Sequence, residues 1–260
     1  MMRQQRTLII LTGVTVVLVL ALGALSLSSS DEPTFYLGAA MKKAWQPIVQ
    51  QFEKEYHVKV RAIYGSSGGL LSQMVMAKRG DIYSPATPPY MEKAIKEGVV
   101  DPSTVRVVAC LAPAILYPKG KHYTLQDLLT KNVKIAMCNT ENCAVGKFIK
   151  QMLEKEGLWD KIKKKVVVYT ENFAKLVSLL YMGEVDAALG WNIAKYWYPN
   201  KIDATILKGP MPYKPCMTIA ISKFSKHRDI AQKFIEFLNS TYAKYIIFQK
   251  YHYLRPGALG

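Results

Sequence analysis

Phe35-Tyr36-Leu37-Gly38-Ala39-Ala40-Met41, followed by Val58-Lys59-Val60-Arg61-Ala62-Ile63-Tyr64-Gly65-Ser66-Ser67-Gly68-Gly69-Leu70, is the stretch that decides the fold. Phe35 to Leu37 reads as a strand, which Gly38-Ala39-Ala40 breaks. From Lys43 to Tyr56 the apolar residues Ala44, Ile48, Val49 and Phe52 recur at the spacing of one helical face. Val58 to Tyr64 alternates as a half-buried strand, and the Gly/Ser loop at 65–69 turns into a second helix from Leu70 to Ala77. The order is strand, helix, strand, helix.

Outward from this stretch the alternation continues. Short strands are expected at Asp81 to Tyr83, Val105 to Leu111, Ala114 to Tyr117, Lys134 to Met137, Val166 to Tyr169, Ala187 to Leu189, Thr205 to Leu207 and Met217 to Ile221. Helices are expected near Tyr90 to Glu97, Thr124 to Leu129, Val145 to Glu156, Asn172 to Met182 and Asp229 to Asn239. Such a pattern predicts an α/β protein with mostly parallel sheets flanked by helices. Ligands in sheets of that kind sit beyond the carboxyl ends of the strands, where loops lead into helices.

Composition bounds the rest. The chain has 260 residues, half of them hydrophobic, which is enough for a substantial core and excludes a disordered chain or a disulfide-dependent miniprotein. Its formal charge of +16 favours anions, acidic surfaces or nucleic acid as partners without choosing among them. Residues 1–30 stand apart. Arg3 and Arg6 precede an uncharged run from Thr7 to Leu27, followed by Ser28-Ser29-Ser30, the three parts of a secretory signal. The run is as long as the roughly 20 residues that cross a bilayer, so a cleaved signal peptide and a retained membrane anchor are both open readings. Either places the rest of the chain outside the cytoplasm, in the periplasm or its extracytoplasmic equivalent.

Four cysteines remain, Cys110, Cys138, Cys143 and Cys216. Outside the cytoplasm a pair can oxidise. Cys138 and Cys143, in Cys-Asn-Thr-Glu-Asn-Cys, are read either as a disulfide bracing a loop or as placing a soft donor beside a ligand. The spacing is not that of a zinc site and the four His are scattered, so no metal is expected.

Four loops bring small or backbone-exposing residues to an expected helix start: Ala39-Ala40-Met41, Ser66-Ser67-Gly68, Ala144-Val145-Gly146 and Glu171-Asn172-Phe173. Helix starts leave amide N–H groups without partners and carry about half a positive charge, so several converging on one point bind an anion without a salt bridge.

On these residues the chain resembles the molybdate-binding proteins of bacterial and archaeal uptake transporters, within the two-lobed extracytoplasmic solute-binding proteins. The likeness runs through Phe35 to Met41, Ile48 to Val60, Tyr64 to Leu70 and Gly80-Asp81-Ile82-Tyr83, and through Tyr90-Met91-Glu92 and Gly98-Val99-Val100. It continues through Ala144-Val145-Gly146, Gly157-Leu158-Trp159-Asp160, Glu171-Asn172-Phe173 and Gly183 to Ala188. The resemblance implies a periplasmic-binding-protein fold with lobe one at 34–110 plus 217–260 and lobe two at 111–216. It implies a hinge between the lobes, and capture of molybdate or tungstate in the cleft for delivery to an ABC permease. Carried over by position, the oxyanion donors are Ala40, Ser67, Val145, Phe173 and Trp191, with Met41, Ser66, Cys143 and Asn172 as secondary candidates. No cofactor is implied beyond the bound oxyanion, and nucleic acid is not expected as a partner.

Two departures from the family pattern bear on ligand choice. The family usually has Ser where this chain has Ala40, and Tyr where it has Trp191. Losing a donor to a charged acceptor costs about 1.5 to 3 kcal/mol. The alternatives are therefore the same fold holding sulfate, phosphate, thiosulfate or a metal complex, or a membrane-tethered sensory domain. An enzyme is not expected: Ser67 and Cys143 are candidate nucleophiles, but no His stands beside a comparable strand-to-helix turn. Lys42, Lys43 and Lys147 read as solvated first-turn residues, and Lys161-Ile162-Lys163-Lys164-Lys165 as a solvated helix end.

Overall fold

In a computed structural model, residues 32–258 are described, and the N-terminal signal or anchor expectation lies outside them. Two five-stranded sheets form the body of the protein. Sheet one contains β1 (Thr34–Gly38), β2 (Arg61–Gly65), β3 (Ile82–Ser84), β4 (Arg106–Cys110) and β10 (Cys216–Ile221), in the order β2-β1-β3-β10-β4. Sheet two contains β5 (Pro113–Pro118), β6 (Ile135–Cys138), β7 (Val166–Thr170), β8 (Ala187–Trp191) and β9 (Ile202–Ile206), in the order β7-β6-β8-β5-β9.

Both sheets are mixed, which corrects the expectation of mostly parallel ones. β1 pairs in parallel with β2 and β3, and β6 in parallel with β7 and β8. β10 runs antiparallel between β3 and β4, and β5 antiparallel between β8 and β9. The antiparallel members are the strands the chain enters after passing from one sheet to the other, where no crossover helix sets a parallel direction. The exchange happens twice, at residues 111–112 and 207–215, and Leu111 N donates to Pro215 O at 2.9 Å where the two passages run side by side.

Helices flank both sheets: α1 (Lys42–Tyr56), α2 (Ser67–Ala77) and α3 (Pro88–Lys96) early in the chain, then α4 (Leu125–Thr130), α5 (Ala144–Lys155), α6 (Trp159–Lys163), α7 (Phe173–Met182) and α8 (Ala194–Trp197). α9 (Arg228–Phe237), α10 (Thr241–Lys244) and a π-helix at Tyr245–Lys250 close the described chain. Each long helix buries the stripe its sequence marks; α1 buries Ala44, Trp45, Ile48, Val49 and Phe52. Phe52 meets Phe234 of α9 edge-on at 5.1 Å, and Phe35 of β1 meets the same ring at 4.7 Å. Aromatic contacts of this kind join the first strand to a helix almost 200 residues away.

The cysteines pair differently from the loop reading. Cys110 and Cys216 form the disulfide, and Cys138 and Cys143 are free and buried. Cys110 and Cys216 stand opposite one another in the antiparallel β4–β10 ladder, at the ends of the strands where the chain leaves and re-enters sheet one. The 138–143 loop is instead wound about Asn139, whose Oδ1 accepts from Glu141 N and Asn142 N, and the Cys143 thiol neighbours that of Cys138. Burial, aided by that thiol contact, holds Cys138 well above the ordinary thiol range.

Candidate functional site

β1, β2, β6, β7 and β8 all deliver their carboxyl ends to one place. From β1 a short 3-10 turn, Ala39–Met41, leads into α1. Ser66 follows β2 and caps α2, its hydroxyl accepting from Gly69 N at 3.3 Å. Cys143 stands at the cap position of α5. Asn172 caps α7, with Oδ1 accepting from Lys175 N at 3.1 Å, and Trp191 ends β8. A small hollow between these ends is lined by Ala39, Ala40, Gly65, Ser66, Ser67, Ala86, Cys143, Ala144, Val145, Phe173 and Trp191.

No charged side chain is among the lining residues. What faces the hollow is the positive end of backbone dipoles: Ser67, Ala144, Val145 and Phe173 occupy the first turns of α2, α5 and α7, where N–H groups have no intrahelical acceptor. Two side chains add donors. Ser67 Oγ accepts from Ala86 N at 3.0 Å, which leaves the hydroxyl hydrogen for another acceptor. Trp191 is fully buried, and its indole Nε1 has no hydrogen-bond partner among the described residues. An unpaired buried donor costs about 1 to 3 kcal/mol, and a guest oxygen would remove that cost.

The structure thus brings Ala40, Ser67, Val145, Phe173 and Trp191 together, with Ser66 and Cys143 beside them. Met41 and Asn172 are not among the lining residues: Met41 packs into the core, and the Asn172 side chain is used in its cap. Sequence reading placed Ala39 and Ala144 in the converging loops without assigning them individually, and missed Gly65 and Ala86 as lining residues. Ala86 sits in the proline-rich turn after β3, where its N–H donates to the hydroxyl of Ser67, 19 residues away, a contact that no local pattern announces. Lys42, Lys43 and Lys147 lie over the Tyr64, Tyr198 and Tyr90 rings at 5.8, 4.8 and 5.8 Å, outside the lining.

Contacts across the hollow hold the halves together. Gly68 N donates to Asn142 O at 3.0 Å, and Tyr90 Oη donates to Glu141 O at 2.8 Å, both from the first-sheet side to the β6–α5 loop. A methyl group on Gly68 would lie 3.0 Å from Asn142 O and 3.1 Å from the Tyr90 ring, so glycine permits this approach.

Comparison with known proteins agrees with this architecture. A molybdate-binding protein of Azotobacter vinelandii, ModA, is 27% identical over 213 residues, covering 73% of this chain and 84% of that one. The solved periplasmic molybdate-binding protein of the same organism superposes with a TM-score of 0.74 at 20% identity, over 86% of this chain and all of that one. The sulfate-binding protein SubI of Mycobacterium tuberculosis superposes with a TM-score of 0.72 at 14% identity, over 87% and 88% of the two chains, so the fold is shared across different ligands. The family described as bacterial extracellular solute-binding protein matches residues 33–254. With nearly all of the described chain matched, this protein is a member of the bacterial extracellular solute-binding protein family.

Proposed function

We propose that the hollow captures a tetrahedral oxyanion, molybdate or tungstate, between lobe one (residues 34–110 and 217–260) and lobe two (111–216), for delivery to an ABC permease outside the cytoplasm. The observation that carries this reading is the convergence of helix first turns on a hollow without charged side chains, with the Trp191 indole N–H buried there and unpartnered. A dianion held by neutral donors gains from several aligned dipoles and leaves no counter-charge to be desolvated when it departs. Ala40, Val145 and Phe173 serve as backbone donors, and Ser67 and Trp191 as side-chain donors. The molybdate-binding relatives favour the same ligand class. Binding favours the closed arrangement, in which Gly68 and Tyr90 reach the β6–α5 loop.

A thermal-shift panel with molybdate, tungstate, sulfate, phosphate and thiosulfate tests the reading. At ligand concentrations about 100-fold above Kd, binding to the native state adds about 2.7 kcal/mol, or a Tm rise of roughly 5 to 10 °C for a domain of this size. Molybdate or tungstate is expected to give that rise. A rise with sulfate alone would reassign the ligand, and no rise at millimolar concentration with any of the five would remove the oxyanion reading. Ser67→Ala and Trp191→Phe each delete one donor to the anion. Each is expected to weaken binding by about 10- to 100-fold, the equivalent of 1.5 to 3 kcal/mol, measured by isothermal calorimetry.

A further inference from the structure

Two buried tyrosines that do not line the hollow aim their hydroxyls at the carbonyl oxygens of residues that do. Tyr83 Oη donates to Ser67 O at 2.8 Å, and Tyr253 Oη donates to Ala40 O at 2.7 Å. Their side chains are 0% and 3% exposed. Burial raises both phenols well above their ordinary range, so both remain donors at any physiological pH.

We propose that Tyr83 and Tyr253 are positioning residues for oxyanion capture, each pinning one peptide of a ligand loop so that its carbonyl stays turned from the guest. The inference rests on the oxyanion reading above. A peptide group has a negative end and a positive end, and a rotated peptide in the first turn would present its oxygen to a dianion. With no charged side chain in the hollow to compensate, orientation of the peptides is what selects for negative charge. Ala40 has no side-chain donor, and its N–H belongs to the preceding peptide, so Tyr253 acts on that donor by fixing the Ala40 carbonyl and with it rotation about the Ala40 backbone bonds.

The two hydroxyls also connect the hollow to distant parts of the fold. The peptide whose carbonyl accepts from Tyr83 donates through its other end, Gly68 N, to Asn142 O across the cleft. A hydrogen bond at the oxygen polarises the N–H of the same peptide, so Tyr83 strengthens a contact made on closure. Tyr253 comes from the far end of the chain. Its neighbour Leu254 exchanges two backbone hydrogen bonds with Cys110, at 2.8 and 3.0 Å, where the chain leaves sheet one. His252 lies 4.4 Å from the Tyr196 ring, which belongs to the second lobe. Ala40 is therefore held by a segment fixed at the passage between the sheets.

Calorimetric titration of molybdate and tungstate into the wild-type protein, Tyr83→Phe, Tyr253→Phe and the half-exposed control Tyr245→Phe tests this. Each buried variant is expected to bind about 5- to 10-fold more weakly, with the control unchanged. In ¹⁵N-resolved proton spectra the Gly68 amide should move upfield in Tyr83→Phe and the Met41 amide in Tyr253→Phe. A lower apo-protein Tm with unchanged affinity and unmoved amides would mean that the hydroxyls only support the fold, and would overturn the proposal while oxyanion binding stands. A wild-type protein that binds neither anion removes the molybdate or tungstate assignment and this inference with it. If a Phe variant does not fold, fluorotyrosine at the same position keeps the shape and makes a stronger donor. The same amide should then move downfield, and no movement overturns the proposal.

Discussion

Gly146→Ala is expected to weaken oxyanion binding by about 10- to 100-fold and to lower the melting temperature of the free protein. A Cβ at this position would lie 2.4 Å from both Asn139 O and Cys138 O and 2.9 Å from Asn139 C. All three are backbone atoms, so no side-chain rotation relieves the clash. α5 must shift away from the β6–α5 loop, and Val145, one residue earlier, moves with it. Overpacking of this kind costs about 1 to 3 kcal/mol, and displacing a donor from a multi-point anion site costs a similar amount again. Calorimetry on the variant, with the melt of the free protein alongside, separates the two effects. Affinity unchanged despite a lower Tm would show that the Val145 amide is not a ligand donor. Gly68→Ala should act more mildly and mainly on affinity, because its backbone obstructions, Asn142 O at 3.0 Å and Asn142 Cα at 3.1 Å, lie across the cleft, and the third is the side-chain ring of Tyr90 at 3.1 Å.

Removing the Cys110–Cys216 disulfide is expected to produce the largest loss of stability from a paired substitution. The bridge joins residues 106 apart in sequence. In the chain-entropy account, a link of that span restrains the unfolded ensemble by about 4 to 5 kcal/mol. At roughly 2 to 4 °C per kcal/mol for a domain of this size, the double variant Cys110→Ala, Cys216→Ala should melt about 10 to 15 °C lower by scanning calorimetry. A fall of less than about 3 °C would show that the β4–β10 pairing and the Leu254–Cys110 contacts already restrain this region in the unfolded chain. Ligand affinity should change far less than stability, since neither cysteine lines the hollow.

The cysteines also show where sequence reading stops. Cys138 and Cys143 are close in sequence and face a loop, the usual arrangement of a local bridge, yet the loop folds on Asn139 and leaves both thiols reduced. Cys110 and Cys216 carry no local signal. Their pairing follows from a register between strands that meet only after the chain has passed through the whole second sheet. Trp191 is an intermediate case. Its place among the candidates came from position in a family pattern, but that its indole is fully buried and unpaired is a property of the packed structure.

By itself the sequence determined the alternation of strands and helices, because burial periodicity and glycine-rich breaks are local properties of the chain. It also determined which loops bring small or backbone-exposing residues to helix starts, and so which residues are suited to offering backbone amides to an anion. Only the tertiary structure decided that these loops from two separate sheets share one hollow. It alone also set the antiparallel entry of β5 and β10, the disulfide partners, and the tyrosines that reach Ser67 and Ala40 from 16 and 213 residues away. The reason is physical: local patterns fix which face of an element is buried, whereas long-range contacts depend on how those faces are stacked together, and no short window of sequence contains that arrangement.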